Sequence, residues 1–177
     1  MRIGLTGTQS TGKTTLVKSL SKLDYFKDYH ISTERSKYLR DLGIPLNTDS
    51  TLNGQSIFLA ERTSELLRDN LLTDRTVLDV MAFASNSHSM EIKSKEAFKD
   101  FAKLFIPQYD YIFYLSPIGI EIENNGVRET NSLYRSIIDL TIQNYITGYK
   151  NKIKKLIKVP PGLDNANRVE FIMSHLT

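Results

Sequence analysis

The sequence predicts an α/β fold, in which a five-stranded parallel sheet is flanked by helices in three layers. Short apolar runs typical of strands alternate with longer segments of helical periodicity along the 177-residue chain. Strands that alternate with helices form parallel sheets, and such sheets are covered on both faces. Because a chain of this length suits one domain with a sizeable core, we expect residues 1–177 to form a single domain.

The first predicted strand leads into a glycine-rich loop. An apolar run that includes Ile3 and Leu5 is followed by GTQSTGKT at residues 7–14, and a helix is predicted over residues 12–23. The pattern G-x-x-x-x-G-K-[ST] between a strand and a helix indicates a phosphate-binding loop, or P-loop. Its glycines let backbone N–H groups approach a polyphosphate, and the helix start adds partial positive charge. The predicted nucleotide-binding residues are Gly7, Gln9, Ser10, Thr11, Gly12, Lys13, Thr14 and Thr15.

Two P-loop residues and two residues after a later strand have individual predicted roles. We expect Lys13 to reach the β- and γ-phosphates and the Thr14 hydroxyl to ligate Mg²⁺. A short strand that begins at Leu71 leads to Asp74, a place from which an acid holds Mg²⁺ directly or through water. Arg75 beside it can bind a phosphate in bidentate fashion, although a surface ion pair would explain it too.

A second pair of candidate residues follows another strand. A β-like run at residues 30–33 ends at Glu34 and Arg35. Ligands of open α/β sheets bind just outside the carboxyl ends of the strands, so Glu34 is a candidate site residue. It is equally well explained as an acidic first-turn residue of a helix predicted over residues 34–42.

A long helix predicted over residues 50–70 carries Gln55 near its start. Gln55 could hydrogen-bond a base or an amide of an acceptor, but an isolated Gln is more often a solvated surface residue. The helical pattern itself rests on the apolar residues at positions 52, 57, 60, 66 and 67.

The second half of the chain contains an aromatic strand and a long loop. The run YDYIFYL at residues 109–115 is the clearest strand in the sequence. Long loops inside compact domains are commonly lids, so we predict a lid at about residues 117–130 that carries Arg128 and is followed by Arg135. The other predicted elements are helices over residues 76–83, 91–105, 131–149 (with apolar positions 133, 137, 140 and 145) and 165–176, and a last strand over residues 154–159.

Composition excludes several classes of protein. No apolar run approaches the ~18 residues that a membrane span needs, and the first strand leaves no room for a signal peptide. The absence of cysteine excludes disulfides and thiolate metal sites and agrees with a cytoplasmic location. The formal net charge of +3 does not by itself favour nucleic acid as a partner.

Two stretches give the sequence a family resemblance. The glycine-rich loop together with DRTVLDVMAF at residues 74–83 resembles the P-loop nucleoside and nucleoside-monophosphate kinases. The second stretch is similar to the Asp-Arg-Tyr-x-x-Ser-x-x-Ala-Tyr segment of thymidylate kinases, from which Thr76, Asp79 and Phe83 depart. Asp79 either holds a sugar hydroxyl of the acceptor or acts as a structural cap.

Shorter matches extend the resemblance over nearly the whole chain. TERSKY at residues 33–38 resembles the acidic strand-two motif of the nicotinamide riboside kinase-like AAA ATPases, many of them phage or bacterial proteins. NGVR at residues 125–128, followed by Arg135, looks like the lid of that group. The stretch from VPPG at residues 159–162 to Arg168 resembles its adenine-side loop and final helix.

The resemblance implies that ATP and Mg²⁺ serve as donor and that a small nucleoside or nucleotide is the acceptor. It places Thr14 and Asp74 at the metal, and it makes Glu34 a group that orients or deprotonates the acceptor. Which of Glu34 and Asp74 is the base stays open. The implied catalytic residues are Lys13, Glu34, Asp74, Arg75, Arg128 and Arg135. The implied acceptor-binding residues are Glu34, Arg35, Gln55, Arg75 and Asp79.

The predicted function is therefore ATP- and Mg²⁺-dependent phosphoryl transfer to a nucleoside monophosphate or a nucleoside. The number of arginines slightly favours a phosphorylated acceptor. One alternative is a polynucleotide 5′-hydroxyl kinase that uses the lysines at positions 152, 154, 155 and 158 as a channel for the strand. Another is a nucleotide-binding regulatory ATPase with little turnover. No membrane partner is predicted, nucleic acid is not favoured, and a homodimer is left open.

Overall fold

The computed structural model of the protein describes residues 1–33, 36–121 and 131–176. Within these ranges the chain forms five strands, all parallel, in one sheet of order β2-β3-β1-β4-β5. The predicted α/β fold with a five-stranded parallel sheet is therefore confirmed. The strands are β1 (Arg2–Thr6), β2 (His30–Ser32), β3 (Leu71–Thr73), β4 (Tyr111–Leu115) and β5 (Leu156–Val159).

Helices cover both faces of this sheet. The helices described are α1 (Lys13–Leu20), α2 (Ser36–Asp41), α3 (Leu52–Glu65), α4 (Val77–Ser85), α5 (Ile92–Ala102), α6 (Ser132–Gly148) and α7 (Asn165–Leu176). Side chains alternate along each strand, so Leu71 and Ile112 join a core with α3 to α6, whereas Leu72 and Phe113 join a core with α1 and α7. The three layers are thus α3 to α6, the sheet, and α1 with α7.

The ends of several helices differ from the predicted ones: α1, for example, ends at Leu20 rather than at residue 23. α3 ends at Glu65 rather than at residue 70, and α5 ends at Ala102 rather than at residue 105. A 3₁₀ helix over Lys103–Gln108 follows α5 and contains Pro107. Because proline has no backbone N–H to donate, an α-helix does not continue through this position. No helix of the described ranges is long and apolar enough to cross a membrane.

α6 exposes three of the four apolar residues from which it was predicted, whereas the fourth, Tyr145, is partly buried against the core. Leu133, Ile137 and Leu140 are exposed, Leu133 by 67%. The buried stripe begins one position later, at Tyr134 and Ile138, and continues to Ile146. Since apolar residues lie on both sides of this helix, their spacing predicts the helix correctly but does not show which side is buried.

Gly4 allows the centre of the sheet to pack tightly against the start of α4. β1 lies between β3 and β4, and Gly4 pairs with Thr73 on one side and Ile112 on the other. A Cβ atom at Gly4 would clash with Cγ2 of Thr76 and would lie 3.0 Å from Cδ1 of Tyr109. Both neighbours are fully buried, so neither can move aside easily.

We predict that Gly4→Ala lowers the free energy of unfolding by about 1–3 kcal/mol, because the added methyl overpacks a closed part of the core. Urea denaturation of the purified variant measures this directly. Gly148→Ala is the matched control: a Cβ there meets nothing within 4 Å, and alanine is the better helix former. Equal stability of the Gly4→Ala and wild-type proteins would contradict the packing described here.

Candidate phosphate-binding and transfer site

The carboxyl ends of three neighbouring strands form the candidate site. β2, β3 and β1 are adjacent in that order, and the register aligns Ser32 and Gly4 with Thr73. The glycine-rich loop follows β1, and Asp74 follows β3. The structure therefore brings the P-loop and Asp74 to one edge of the sheet, as the sequence predicts. Glu34, Arg35, Arg128 and residues 122–130 of the predicted lid lie outside the described residues.

The P-loop has a backbone that requires its glycines. Gly7 has φ of 150°, and a Cβ there would clash with the carbonyl oxygen of Leu115 on β4. Gly12 has φ of 82° and is the N-cap residue of α1. Ser10, between them, also has a positive φ, of 55°. These conformations favour residues without a Cβ atom, and they turn the chain sharply from β1 into α1.

Lys13 lies across the loop. Its Nζ donates to the carbonyl oxygens of Gly7 at 2.5 Å and Thr8 at 2.6 Å, and to the Thr11 hydroxyl at 3.1 Å. The side chain is buried. The loop therefore holds a buried ammonium group by charge-assisted hydrogen bonds to its own oxygen atoms.

Thr14 and Asp74 form a hydrogen-bonded pair of oxygen groups next to the P-loop. The Thr14 hydroxyl donates to Oδ2 of Asp74 at 2.6 Å, and the Asp74 side chain is buried. Within the described part of the chain, no three His, Cys, Asp or Glu residues cluster as a metal site. One hydroxyl and one carboxylate fit Mg²⁺, which takes few protein ligands and completes its shell with water and phosphate oxygens.

Asp79 is enclosed by donors from β1, the P-loop and the start of α4. Its Oδ2 accepts from the Thr6 hydroxyl at 2.9 Å and from the backbone N–H of Thr76 at 2.8 Å. Its Oδ1 accepts from the backbone N–H of Gly7 at 3.0 Å. Thr76 in turn caps α4, which makes a capping box. Of the two roles left open by the sequence, the hydrogen bonds show the structural cap.

Two buried arginines lie beside the P-loop. Arg135 on α6 donates to the carbonyl oxygens of Gln9 and Ser10, and Arg168 on α7 donates to that of Thr11. Burial lowers the pKa of Arg168, because its positive charge has lost solvent. The sequence predicted a phosphate contact for Arg135, and the structure places it at the loop's carbonyl oxygens. It assigned no role to Arg168, whose partner is far away along the chain.

Arg75 faces an aromatic side chain. Its guanidinium carbon lies 4.9 Å from the ring centroid of Phe83, which in turn lies 6.4 Å from the Tyr134 ring. Stacking of this kind holds a guanidinium in one orientation while leaving its edge able to donate. Arg75 therefore stays a candidate for an acceptor or phosphate contact.

α3 turns polar residues towards the core. The apolar residues Leu52, Ile57 and Leu67, from which the helix was predicted, are exposed. The buried stripe instead contains Gln55, which is only 3% exposed, and Arg62 two turns later. The alternative of a solvated Gln55 is therefore excluded, and the acceptor contact stays a prediction. Gln55, Leu59 and Arg62 are spaced by four and three residues, a spacing that places them on the same side of a helix. This spacing could have indicated the buried face.

Arg62 belongs to a buried network beneath the strand ends, which sequence reasoning missed. Its guanidinium lies 2.7 Å from Oε1 of Glu65 and donates to the Thr73 hydroxyl at 3.1 Å. The hydroxyl groups of Ser32 and Thr73 both donate to Glu65. Burial raises the pKa of Glu65, and the positive charge of Arg62 opposes that rise. The network ties together the last residues of β2 and β3, from which Glu34 and Asp74 follow.

Comparisons with known proteins agree with this geometry. The sequence model of a family described as an AAA domain matches residues 2–161. No curated protein sequence matches the chain. A solved structure of deoxyadenosine kinase from M. mycoides, with the products dCMP and dCDP, is similar at 20% identity and a TM-score of 0.67, over 99% of this chain and 98% of that one. The same values hold for that enzyme with dCTP bound.

A third structure of this enzyme, with dATP bound, has 19% identity, a TM-score of 0.65 and coverage of 99% of both chains. At these identities the likeness concerns the fold. Together with the matched family, it confirms the predicted resemblance at the level of the fold.

We predict that Asp79→Asn lowers the free energy of unfolding by about 1–3 kcal/mol, because the amide NH₂ cannot accept from the N–H groups of Gly7 or Thr76. Chemical denaturation checks the value. Asp164→Asn is the control, since Asp164 accepts from the Asn167 N–H at the exposed start of α7 and Asn caps helices as well as Asp does. If both variants unfold like the wild type, Asp79 does not hold the loop to α4.

Proposed function

We propose, because the chain belongs to the AAA domain family, that this member transfers the γ-phosphoryl group of ATP to a hydroxyl of a nucleoside. The observation that carries the proposal is the arrangement of Lys13 on the P-loop with the Thr14–Asp74 pair, 2.6 Å apart, beside it. Phosphoryl transfer needs positioning and charge stabilisation more than covalent chemistry. This edge of the sheet supplies both.

The P-loop would bind the donor. Backbone N–H groups of the loop and the amino end of α1 form an anion site, and Lys13 adds a full positive charge. Lys13 is already desolvated by burial in the loop. Its charge therefore acts in surroundings where electrostatic attraction is stronger than in water.

Thr14 and Asp74 would hold Mg²⁺ beside the donor phosphates. When bound, the ion would offset the negative charge of the donor phosphates. Asp74 is held in place by its hydrogen bond with Thr14 and by its position directly after β3. This hydrogen-bonded pair of oxygens supports the proposed role of Thr14 and Asp74 as metal ligands.

A carboxylate would orient the acceptor. The acceptor hydroxyl oxygen bonds to the γ-phosphorus as the bond from that phosphorus to the bridging oxygen breaks, and ADP leaves. The hydroxyl proton passes to a carboxylate, for which Glu34 and Asp74 are the candidates. The Arg62–Glu65 network fixes the strand end that leads to Asp74.

A nucleoside fits the described residues better than a nucleoside monophosphate. Arg135, which the sequence counted towards a phosphorylated acceptor, donates instead to P-loop carbonyl oxygens. Arg75 stacks on Phe83, and the buried Gln55 offers an amide for a base. Support also comes from the M. mycoides structures, since that similar fold is a deoxyadenosine kinase that holds dCMP as product. We propose a cytoplasmic location as part of this function.

The test is ADP release from Mg·ATP across a panel of acceptors. The panel contains the common nucleosides and deoxynucleosides, their monophosphates, nicotinamide riboside and a 5′-hydroxyl oligonucleotide. We expect ADP release to rise at least ~10-fold with one or more nucleosides, since a bound hydroxyl displaces water as the acceptor. A response confined to monophosphates would mean that the acceptor is a nucleoside monophosphate rather than a nucleoside. A response confined to the oligonucleotide would support a polynucleotide kinase. A flat panel with bound ATP would indicate a regulatory ATPase.

We predict that Lys13→Ala lowers phosphoryl transfer by at least ~100-fold, because a charged donor to the transferring phosphates is lost. Circular dichroism and the melting temperature verify that the variant is folded. Lys18→Ala is the control: it removes the same charge from the same helix at an exposed position. A Lys13→Ala protein with wild-type turnover would refute the P-loop mechanism.

A further inference from the structure

We propose that Arg135 and Arg168 are positioning residues. They bind carbonyl oxygens of the P-loop and thereby keep the N–H groups of the loop oriented for phosphate. The inference rests on the proposed function only in assuming that the loop binds a polyphosphate. It assigns neither arginine a contact with nucleotide. Two residues that follow the predicted lid thereby determine the geometry of a loop near the start of the chain.

Arg135 holds two consecutive peptide groups of the loop. Its Nε donates to the Gln9 carbonyl at 3.2 Å, and one terminal nitrogen donates to the Ser10 carbonyl at 3.0 Å. The other terminal nitrogen donates to the Ile120 carbonyl at 2.6 Å, just after β4. The side chain is 7% exposed. A planar guanidinium with three directed bonds fixes these three peptide groups relative to one another.

Arg168 holds the next peptide group from another helix. A terminal nitrogen donates to the Thr11 carbonyl at 2.8 Å, and the same nitrogen would lie 3.2 Å from a Cβ at Gly12. The residue is 8% exposed, and its buried Nε has no hydrogen-bond partner. A desolvated charge with an unmet donor is costly, so this contact must serve some purpose other than packing alone.

The loop is therefore held by cations along its length. Lys13 donates to the carbonyl oxygens of residues 7 and 8, Arg135 to those of residues 9 and 10, and Arg168 to that of residue 11. In a planar trans peptide the C=O and the next N–H point in opposite directions. Carbonyl groups fixed towards Arg135 and Arg168 turn the N–H groups of residues 10, 11 and 12 away from the arginines, towards the other side of the loop.

This arrangement prepares the loop before a ligand arrives. N–H groups that already converge need no reorganisation when phosphate binds, and preorganised donors stabilise anions most effectively. Three neighbouring positive charges also repel one another until an anion enters, which raises the attraction for polyphosphate. Loss of either arginine should loosen the loop and weaken polyphosphate binding in general.

The experiment compares Arg135→Gln and Arg168→Gln with the control Arg68→Gln, which removes the same charge from an exposed position. Calorimetry measures the binding of inorganic tripolyphosphate and of ATP, each with Mg²⁺. Hydrogen exchange of the unliganded proteins measures the loop amides of residues 7–12. Arg168→Lys keeps the positive charge on a single nitrogen atom, and together with the melting temperature it separates local from global effects.

We expect each Gln variant to lose affinity for tripolyphosphate and for ATP by the same factor, about tenfold, as for one charge-assisted hydrogen bond. Exchange of the loop amides should quicken without ligand, while the β4 amides stay protected. Arg168→Lys should recover part of both losses, and Arg68→Gln should change neither.

Three results would overturn the proposal. Loss of ATP affinity with unchanged tripolyphosphate affinity would mean a contact with the base or sugar. Loss of affinity with unchanged loop exchange would mean a direct contact with phosphate. A lower melting temperature with both readouts unchanged would mean packing only. Because exchange needs no ligand, it decides the role of the arginines even if the wild type binds neither probe, a result that would refute the proposed function instead.

Discussion

The carboxylate of Asp79 is the constraint on which the candidate site depends. It accepts hydrogen bonds from the last residue of β1, the first residue of the P-loop and the residue that caps α4. A buried carboxylate with four such bonds satisfies donors that would otherwise be costly to bury. The start of the P-loop is thereby fixed to the same point as the segment that carries Asp74 and Arg75. Gly4, next to this point, leaves the space that Thr76 occupies.

Three buried arginines hold chain segments in place at the carboxyl edge of the sheet. Arg62 reaches Thr73 at the end of β3, and Arg135 and Arg168 reach the P-loop. Each comes from a helix that packs against a face of the sheet and extends to its carboxyl edge. The helices that carry a charged residue on their buried face are thus the ones that contribute to the site. Glu65 offsets the charge of Arg62, and backbone carbonyl dipoles offset those of the other two.

What could be predicted from the sequence was local or topological. The P-loop follows from a short motif between a strand and a helix, and the meeting of Asp74 with it follows from parallel strands. The buried faces of α3 and α6 could not be predicted, because apolar residues lie on both sides of each helix. The cap formed by Thr76 and Asp79 was visible as Thr-x-x-Asp before an apolar run. The contact of Arg168 with Thr11 joins residues 157 positions apart, and local sequence patterns carry no information on it.

The long sequence separation of Thr11 and Arg168 also determines when, during synthesis, the P-loop can reach its final conformation. During synthesis, residues 7–12 leave the ribosome well before Leu115, Arg135 and Arg168, which give the loop its shape. A nascent chain that ends before α7 holds the complete glycine-rich motif but lacks one of the cations that orient it. Contacts of such separation form late and slow the search for the native state. Nucleotide would therefore bind only once folding is almost complete. A bound nucleotide would then stabilise the folded protein by mass action.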